Sequence, residues 1–204
     1  IEVALYTLWM LLYKRPKNEE EIKDCLDTQV VDVFKKSAQN VESYKKAALF
    51  LKGAQDTQVI SCLPVNWKTD DARKIAMCYA NEQKKTLFIS MEDTDGGKYS
   101  MSRYMMGSAD EPEVEALNDY FHCLYRNLGD ENGYDIAGSR TFAKYLEQVR
   151  GEYDYIVIAC RDLGKSAEGY QLAKFSDKNL VLCNRRNTTN KELYNIRNVM
   201  AINQ

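Results

Sequence analysis

The chain has 204 residues, of which 45% are hydrophobic and 28% charged, enough for one sizeable α/β domain with a leading arm and inconsistent with a disordered chain or a multi-pass membrane protein. A formal net charge of -2 offers no general attraction to a phosphate backbone, so nucleic acid is not expected as a partner. The six cysteines (Cys25, Cys62, Cys78, Cys123, Cys160, Cys183) stand singly, without a Cys-x-x-Cys pair or a cluster around the one histidine, His122; no metal site is expected, and the thiols read as reduced core residues.

In chain order, Ile1 to Tyr13 is largely apolar and is followed by Lys14, Arg15, Pro16 and Lys17. Thirteen residues are fewer than the ~20 apolar positions that a span requires. An apolar end followed by basic residues is nevertheless how the cytoplasmic exit of a membrane helix reads, and an amphipathic helix packed on its own domain or on a neighbour is an equal alternative. Residues 1–17 are therefore set apart as a membrane-proximal helix and basic linker, and 18–204 as the α/β domain.

Asn18 before three glutamates caps a short helix running to about Leu26. Gln29 to Phe34 is expected to be a short strand, and Ala38 to Lys52 a helix ended by Gly53. Strand and helix then alternate: Thr57 to Cys62 a strand, Lys68 to Gln83 a helix, Thr86 to Ser90 a second buried strand. Residues Met91 to Asp110 read as loops around at most one short helix. Glu111 to Leu128 is expected to be helical, with Pro112 in the first turn and Gly129 ending it. Thr141 to Arg150 is a helix, Tyr153 to Cys160 the clearest strand, Ala167 to Phe175 a helix, Leu180 to Cys183 a strand, and Asn190 to Ala201 a closing helix. Strands separated by such helices pair in parallel through right-handed crossovers, so a three-layer α/β/α domain with a mostly parallel sheet is expected.

In such a sheet the ligand site lies beyond the carboxyl ends of the strands. The loop after the Thr57 to Cys62 strand reads Leu63-Pro64-Val65-Asn66-Trp67-Lys68-Thr69 and opens a helix. Against a phosphate loop of the form GxxxxGK[ST], Lys68 and Thr69 match, whereas Cys62 and Trp67 occupy the glycine positions. An indole immediately before the lysine fills the space that a β-phosphate would use.

Glu42 to Lys46, Val59 to Pro64, Lys68-Thr69, Lys85 to Ile89, Phe142 and Tyr155 to Ile158 occur together in an order and spacing that resembles the bacterial tyrosine kinases, including the kinase half of polysaccharide co-polymerases. The resemblance covers nearly the whole chain and implies a P-loop NTPase-like fold. It also implies that an aspartate-x-aspartate pair serving magnesium and the acceptor should stand where this sequence has Ser90 and Glu92, and that a further aspartate should stand at Ala159. On this reading Lys68, Thr69, Ser90, Glu92 and Ala159 are a vestigial catalytic set, and Pro64, Val65, Asn66, Trp67, Lys68 and Thr69 a vestigial nucleotide loop. The family's Glu-x-x-Arg-x-x-Arg assembly motif corresponds to Glu42, Lys45 and Ala48. Lysine keeps the charge but not the bidentate fork, so an octameric ring is disfavoured, while a homo-oligomer stays open. The last tyrosine is Tyr194, so the family's tyrosine-rich tail is not represented here.

The resemblance thus implies a catalytically impaired scaffold without bound cofactor. It would lie on the cytoplasmic face of the bacterial inner membrane, beside a membrane-embedded polysaccharide co-polymerase or transmembrane segments of its own, in control of exopolysaccharide or capsule chain length and export. The alternative is a weak tyrosine kinase or ATPase using ATP and magnesium through Lys68, Thr69 and Glu92. An unrelated α/β interaction module is a third reading, favoured by a sheet lacking the strand, loop and helix expected at Ile60 to Thr69. Simpler roles accompany each residue: Lys68 solvated, Thr69 a helix cap, Trp67 packed over a vacant site rather than stacked on an adenine, Glu92 to Asp95 a solvated turn, His122 structural, and Arg185-Arg186 a surface pair.

Overall fold

The structure is a computed structural model; it describes residues 14–29, 32, 41–52, 58–67, 70–94, 101–105, 111–127 and 136–202. Among these, the helices are α1 (Glu19–Leu26), α2 (Val41–Leu51), α3 (Asp70–Asn81), α4 (Met101–Met105), α5 (Arg140–Arg150), α6 (Glu168–Phe175) and α7 (Asn190–Ile202). The strands are β1 (Gln58–Val65), β2 (Thr86–Thr94), β3 (Glu115–Asn118), β4 (Phe121–Asn127), β5 (Tyr155–Ala159) and β6 (Lys178–Cys183).

Six strands form one sheet in the order β3-β4-β2-β5-β1-β6, parallel throughout except for β3, which pairs antiparallel with β4. All eight residues of β1 are buried, as a strand covered on both faces requires. Its alternating side chains divide between two cores: Val59, Leu63 and Val65 join Phe142, Leu146, Leu172 and Ile196 from α5, α6 and α7 on one face. Ile60 and Cys62 join Tyr44, Ala47, Ile75 and Tyr79 from α2 and α3 on the other. The expected three layers follow from this division.

Helix α5 shows how local sequence feeds the packing. Ser139 caps it by accepting from the Phe142 amide, and Phe142, Tyr145, Leu146 and Val149 form the buried face; each large apolar side chain so buried contributes about 1.5–3 kcal/mol. On the opposite layer the Tyr79 ring stacks on Tyr155 at 3.9 Å, and its hydroxyl donates to the Ala48 carbonyl at 2.8 Å. That contact ties α2 and α3 to the middle of the sheet.

Two expectations are overturned. The helix expected over Glu111 to Leu128 is, in its described part up to Asn127, the β3–β4 hairpin, because Asn118 Oδ1 accepts from the amides of both Tyr120 and Phe121 at 2.9 Å and holds a turn; Leu128 and Gly129 lie outside the described residues. Beyond the turn, Phe121 and Cys123 face one core and Leu124 the other, the two-residue period of a strand. Strand β2 also continues past Ser90 to Thr94, with a register irregularity between Ser90 and Asp93, where a loop was expected. The remaining elements lie within a few residues of their expected bounds. The strand expected at Gln29 to Phe34 falls largely outside the described residues, though Gln29 and Asp32 are not in one; Ile1 to Tyr13 and Gly53 lie wholly outside. Among the described residues no helix is long and apolar enough to cross a membrane.

Candidate functional site at the carboxyl edge of the sheet

Strands β1, β2 and β5 end at one edge of the sheet. Ser90 stands beside Ala159 in the β2–β5 register, and Cys62 beside Ala159 in the β1–β5 register. Two of the three positions where the family resemblance calls for carboxylates are thus direct neighbours, occupied by a buried hydroxyl and a methyl group. Ser90 Oγ accepts from the Glu92 amide at 3.4 Å, and the Glu92 side chain is exposed. Burial pushes the Cys62 thiol up to about 12 and raises that of Cys160 as well, so both remain neutral packing groups. Among the described residues no three His, Cys, Asp or Glu side chains gather in a way that could hold a metal ion.

The loop after β1 turns at Asn66, whose φ of 53° lies in the left-handed region where asparagine and glycine are tolerated best. Pro64 and Val65 are buried at the end of β1, paired with Leu182 and Cys183 of β6. Asn66 Nδ2 donates to the Asn187 carbonyl at 3.2 Å and to Glu192 Oε1 at 3.3 Å. Lys68 and Thr69 lie outside the described residues.

Trp67 is half-buried against the α2–α3 core, and its indole Nε1 donates to Asp71 Oδ2 at 2.5 Å. The other carboxylate oxygen, Oδ1, accepts from the hydroxyl of Tyr44 on α2. Lys74 Nζ reaches the Tyr44 hydroxyl at 3.3 Å and Asp71 Oδ1 at 3.4 Å, and lies 5.2 Å from the Tyr44 ring centre. Burial, reinforced by the hydrogen bond to Asp71, raises the Tyr44 hydroxyl above its ordinary value. Helix α3 therefore opens with two carboxylates, Asp70 and Asp71. They sit at the positive end of the helix dipole, the place where a helix amino terminus would otherwise draw a phosphate.

A second charged group lies on the other side of the same edge. Arg126, near the end of β4, and Glu168, at the start of α6, are 2% and 0% exposed and meet at 3.7 Å. Arg126 also approaches the Met91 carbonyl at 3.5 Å, and Glu168 Oε1 accepts from the Arg161 amide at 3.0 Å. The pair pins the loop after β5 to β2 and β4.

The other sequence candidates separate. Glu42 and Lys45 are exposed on α2, but Ala48 is buried against α3, so the three do not share one free face. His122 is on β4 rather than on a helix; its Nδ1 lies 2.8 Å from the Tyr153 hydroxyl, and burial lowers its pKa. Arg185 donates to the Lys17 carbonyl at 2.5 Å and so is tied to the linker, while the Arg186 amide donates to Asn184 Oδ1 at 3.0 Å within its own turn. A cleft of about 500 Å³ lies at the opposite end of the sheet, where Arg150 engages Asp177, well away from these residues. Sequence reasoning passed over Tyr44, Asp71, Arg126 and Glu168. The adjacent aspartates after Lys68-Thr69 were the available signal for Asp71; nothing in the sequence marks the Arg126–Glu168 pair.

No family model matches the chain, and no curated protein matches it. Solved structures do. The BceF tyrosine kinase domain superposes with a TM-score of 0.73 at 15% identity, covering 94% of each chain. The chimerical protein CapA2B2 gives 0.73 at 15% identity over 91% of this chain and 94% of that one. The kinase domain of the Escherichia coli tyrosine kinase ETK gives 0.70 at 14% identity over 94% of this chain and 84% of that one. The chain has the fold of bacterial tyrosine kinase domains, a P-loop NTPase-like three-layer α/β/α arrangement.

Proposed function

We propose that this domain keeps the tyrosine-kinase fold without phosphoryl transfer and serves as a scaffold or regulator in exopolysaccharide or capsule chain-length control and export. Its place is the cytoplasmic face of the bacterial inner membrane, with a membrane-embedded polysaccharide co-polymerase, or transmembrane segments of its own, as the partner; homo-oligomers are compatible with this role. The observation that carries the reading is the pairing of Ser90 on β2 with Ala159 at the end of β5. Phosphoryl transfer rests on positioning and on cationic stabilisation of the phosphates, with carboxylates among the groups that hold the metal ions, and neither side chain supplies a carboxylate.

The loop side supports the same reading. Trp67 is drawn onto Asp71, and the start of α3 already carries its own negative charge. The residues present do not fit a magnesium nucleotide: Glu92 is the one carboxylate left from the expected pair, and it points to solvent. No catalytic step is therefore assigned to Lys68 and Thr69.

The test compares polysaccharide length distributions from cells carrying the intact chain, the Lys68→Met variant, and no copy of the domain. A scaffold predicts that Lys68→Met matches the intact chain while loss of the domain alters the distribution. Tyrosine phosphorylation that disappears in Lys68→Met, together with an altered length distribution, would establish the alternative: a working kinase with a non-standard loop.

A further inference from the structure

The segment between β6 and α7 touches two places that are far apart in sequence. On one side it holds the basic linker. The Asn190 amide donates to the Lys14 carbonyl at 2.7 Å, Asn190 Nδ2 donates to Glu21 Oε1 at 3.2 Å, and Arg185 donates to the Lys17 carbonyl at 2.5 Å. Glu21 gathers that linker further, through an ion pair with Lys14 at 2.8 Å and a bond from the Lys17 amide at 2.7 Å.

On its other side the same segment holds the end of β1 and the loop that follows. The Asn184 amide donates to the Val65 carbonyl at 3.3 Å, and the Thr188 hydroxyl donates to it at 3.2 Å. The Asn187 carbonyl accepts from Asn66 Nδ2. Thr189 and Glu192 form a reciprocal cap at the start of α7: Glu192 Oε2 accepts from the Thr189 amide at 2.6 Å, and Thr189 Oγ1 accepts from the Glu192 amide at 3.2 Å. The other oxygen of that glutamate accepts from Asn66. Thr188 and Asn190, the residues flanking the cap, are 0% and 8% exposed.

We propose that residues 184–192 form a mechanical bridge through which the position of the Lys14–Lys17 linker controls the conformation of the Asn66–Trp67 loop. The bridge is built to transmit. Thr188 and Asn190 are buried and the start of α7 is capped, so a displacement at Lys14 or Glu21 is passed to Glu192 and Asn66 rather than absorbed. A loop whose turn residue sits at φ 53°, held by side-chain bonds from one flank, changes its geometry when those bonds are lost. The partner implied is whatever structure positions the chain upstream of Lys14, and the coupling holds whether or not the loop binds nucleotide.

Trp67 is a built-in reporter, since Trp9 is the other tryptophan of two in the chain. In a Trp9→Phe background, Glu21→Ala releases the linker and is expected to make Trp67 more accessible to acrylamide quenching, whereas Glu20→Ala on the same helix leaves quenching unchanged. Coupling is reciprocal. Asn66→Gly, which keeps the left-handed turn without the side chain, is therefore expected to speed hydrogen exchange of the Asn190 amide by about five-fold or more, the low end for coupled sites. The bridge is refuted if Glu21→Ala speeds exchange at Asn190 but leaves Trp67 quenching as in the parent. It is equally refuted if Glu20→Ala and Glu21→Ala alter quenching alike, or if Asn66→Gly leaves Asn190 exchange unchanged.

Discussion

The carboxyl edge of the sheet carries two charged arrangements that obey different physics. Near β4, Arg126 and Glu168 are withdrawn from water almost completely; near β1, Trp67, Asp71, Tyr44 and Lys74 form a half-buried network that water can reach. A buried pair has surrendered its hydration, so removing one member strands the other, whereas an open network can exchange its bonds for bonds to solvent. The dry side is therefore committed to holding the fold together. The wet side is the part of the edge that is free to rearrange.

The sharpest way to break this contrast is Glu168→Ala. Removing the carboxylate that the buried Arg126 guanidinium meets at 3.7 Å is expected to lower stability by roughly 3–5 kcal/mol, read as a shifted urea midpoint, and a loss below about 1 kcal/mol would place the pair in the same class as a surface bridge. A smaller effect is expected from Asp71→Ala, which removes the acceptor shared by Tyr44 and Trp67. About 1 kcal/mol is typical for such half-exposed bonds, and the Trp67 emission should shift to the red as the indole turns to water. If Asp71→Ala cost more than Glu168→Ala in the same urea series, the distinction between the two sides would fail.

The smallest effect belongs to Glu21, at the surface. Hydrogen bonds from Lys14 and the Lys17 amide lower its carboxyl from 4.5 to about 2. Because the folded value is depressed, its contribution is fully present above the ordinary 4.5 and fades as pH falls through about 2. Melting temperatures between pH 5 and pH 2.5 should accordingly fall more steeply for the native chain than for Glu21→Gln. Parallel slopes would detach Glu21 from the linker.

Which parts of this molecule could be read from its sequence follows the same division between local and distant causes. β1 and β5 announce themselves as continuous apolar runs, and α5 by Phe142, Tyr145, Leu146 and Val149 at helical spacing with Ser139 in front. The hairpin misled because Val114, Leu117, Phe121 and Leu124 recur at intervals of three and four residues, imitating a helix. One asparagine side chain decided the matter, Asn118 closing a turn that the apolar spacing concealed. At the site, Trp67 before Lys68, and Ser90 and Ala159 where the resemblance implies carboxylates, could be named from the sequence. Asp71 was signalled only by the paired aspartates after Lys68-Thr69, and its bond to Tyr44 by nothing, since that bond joins two helices; Arg126 and Glu168 were invisible, because an arginine in a strand and a glutamate opening a helix each look like surface residues until the chain folds.

On the proposed scaffold reading, no magnesium nucleotide lodges productively between Trp67 and the neighbouring Ser90 and Ala159. Isothermal titration of the purified chain with magnesium-ATP, and separately with magnesium-ADP, tests it directly. The expected result is no saturable heat up to millimolar nucleotide; micromolar binding accompanied by autophosphorylation on tyrosine would contradict the claim.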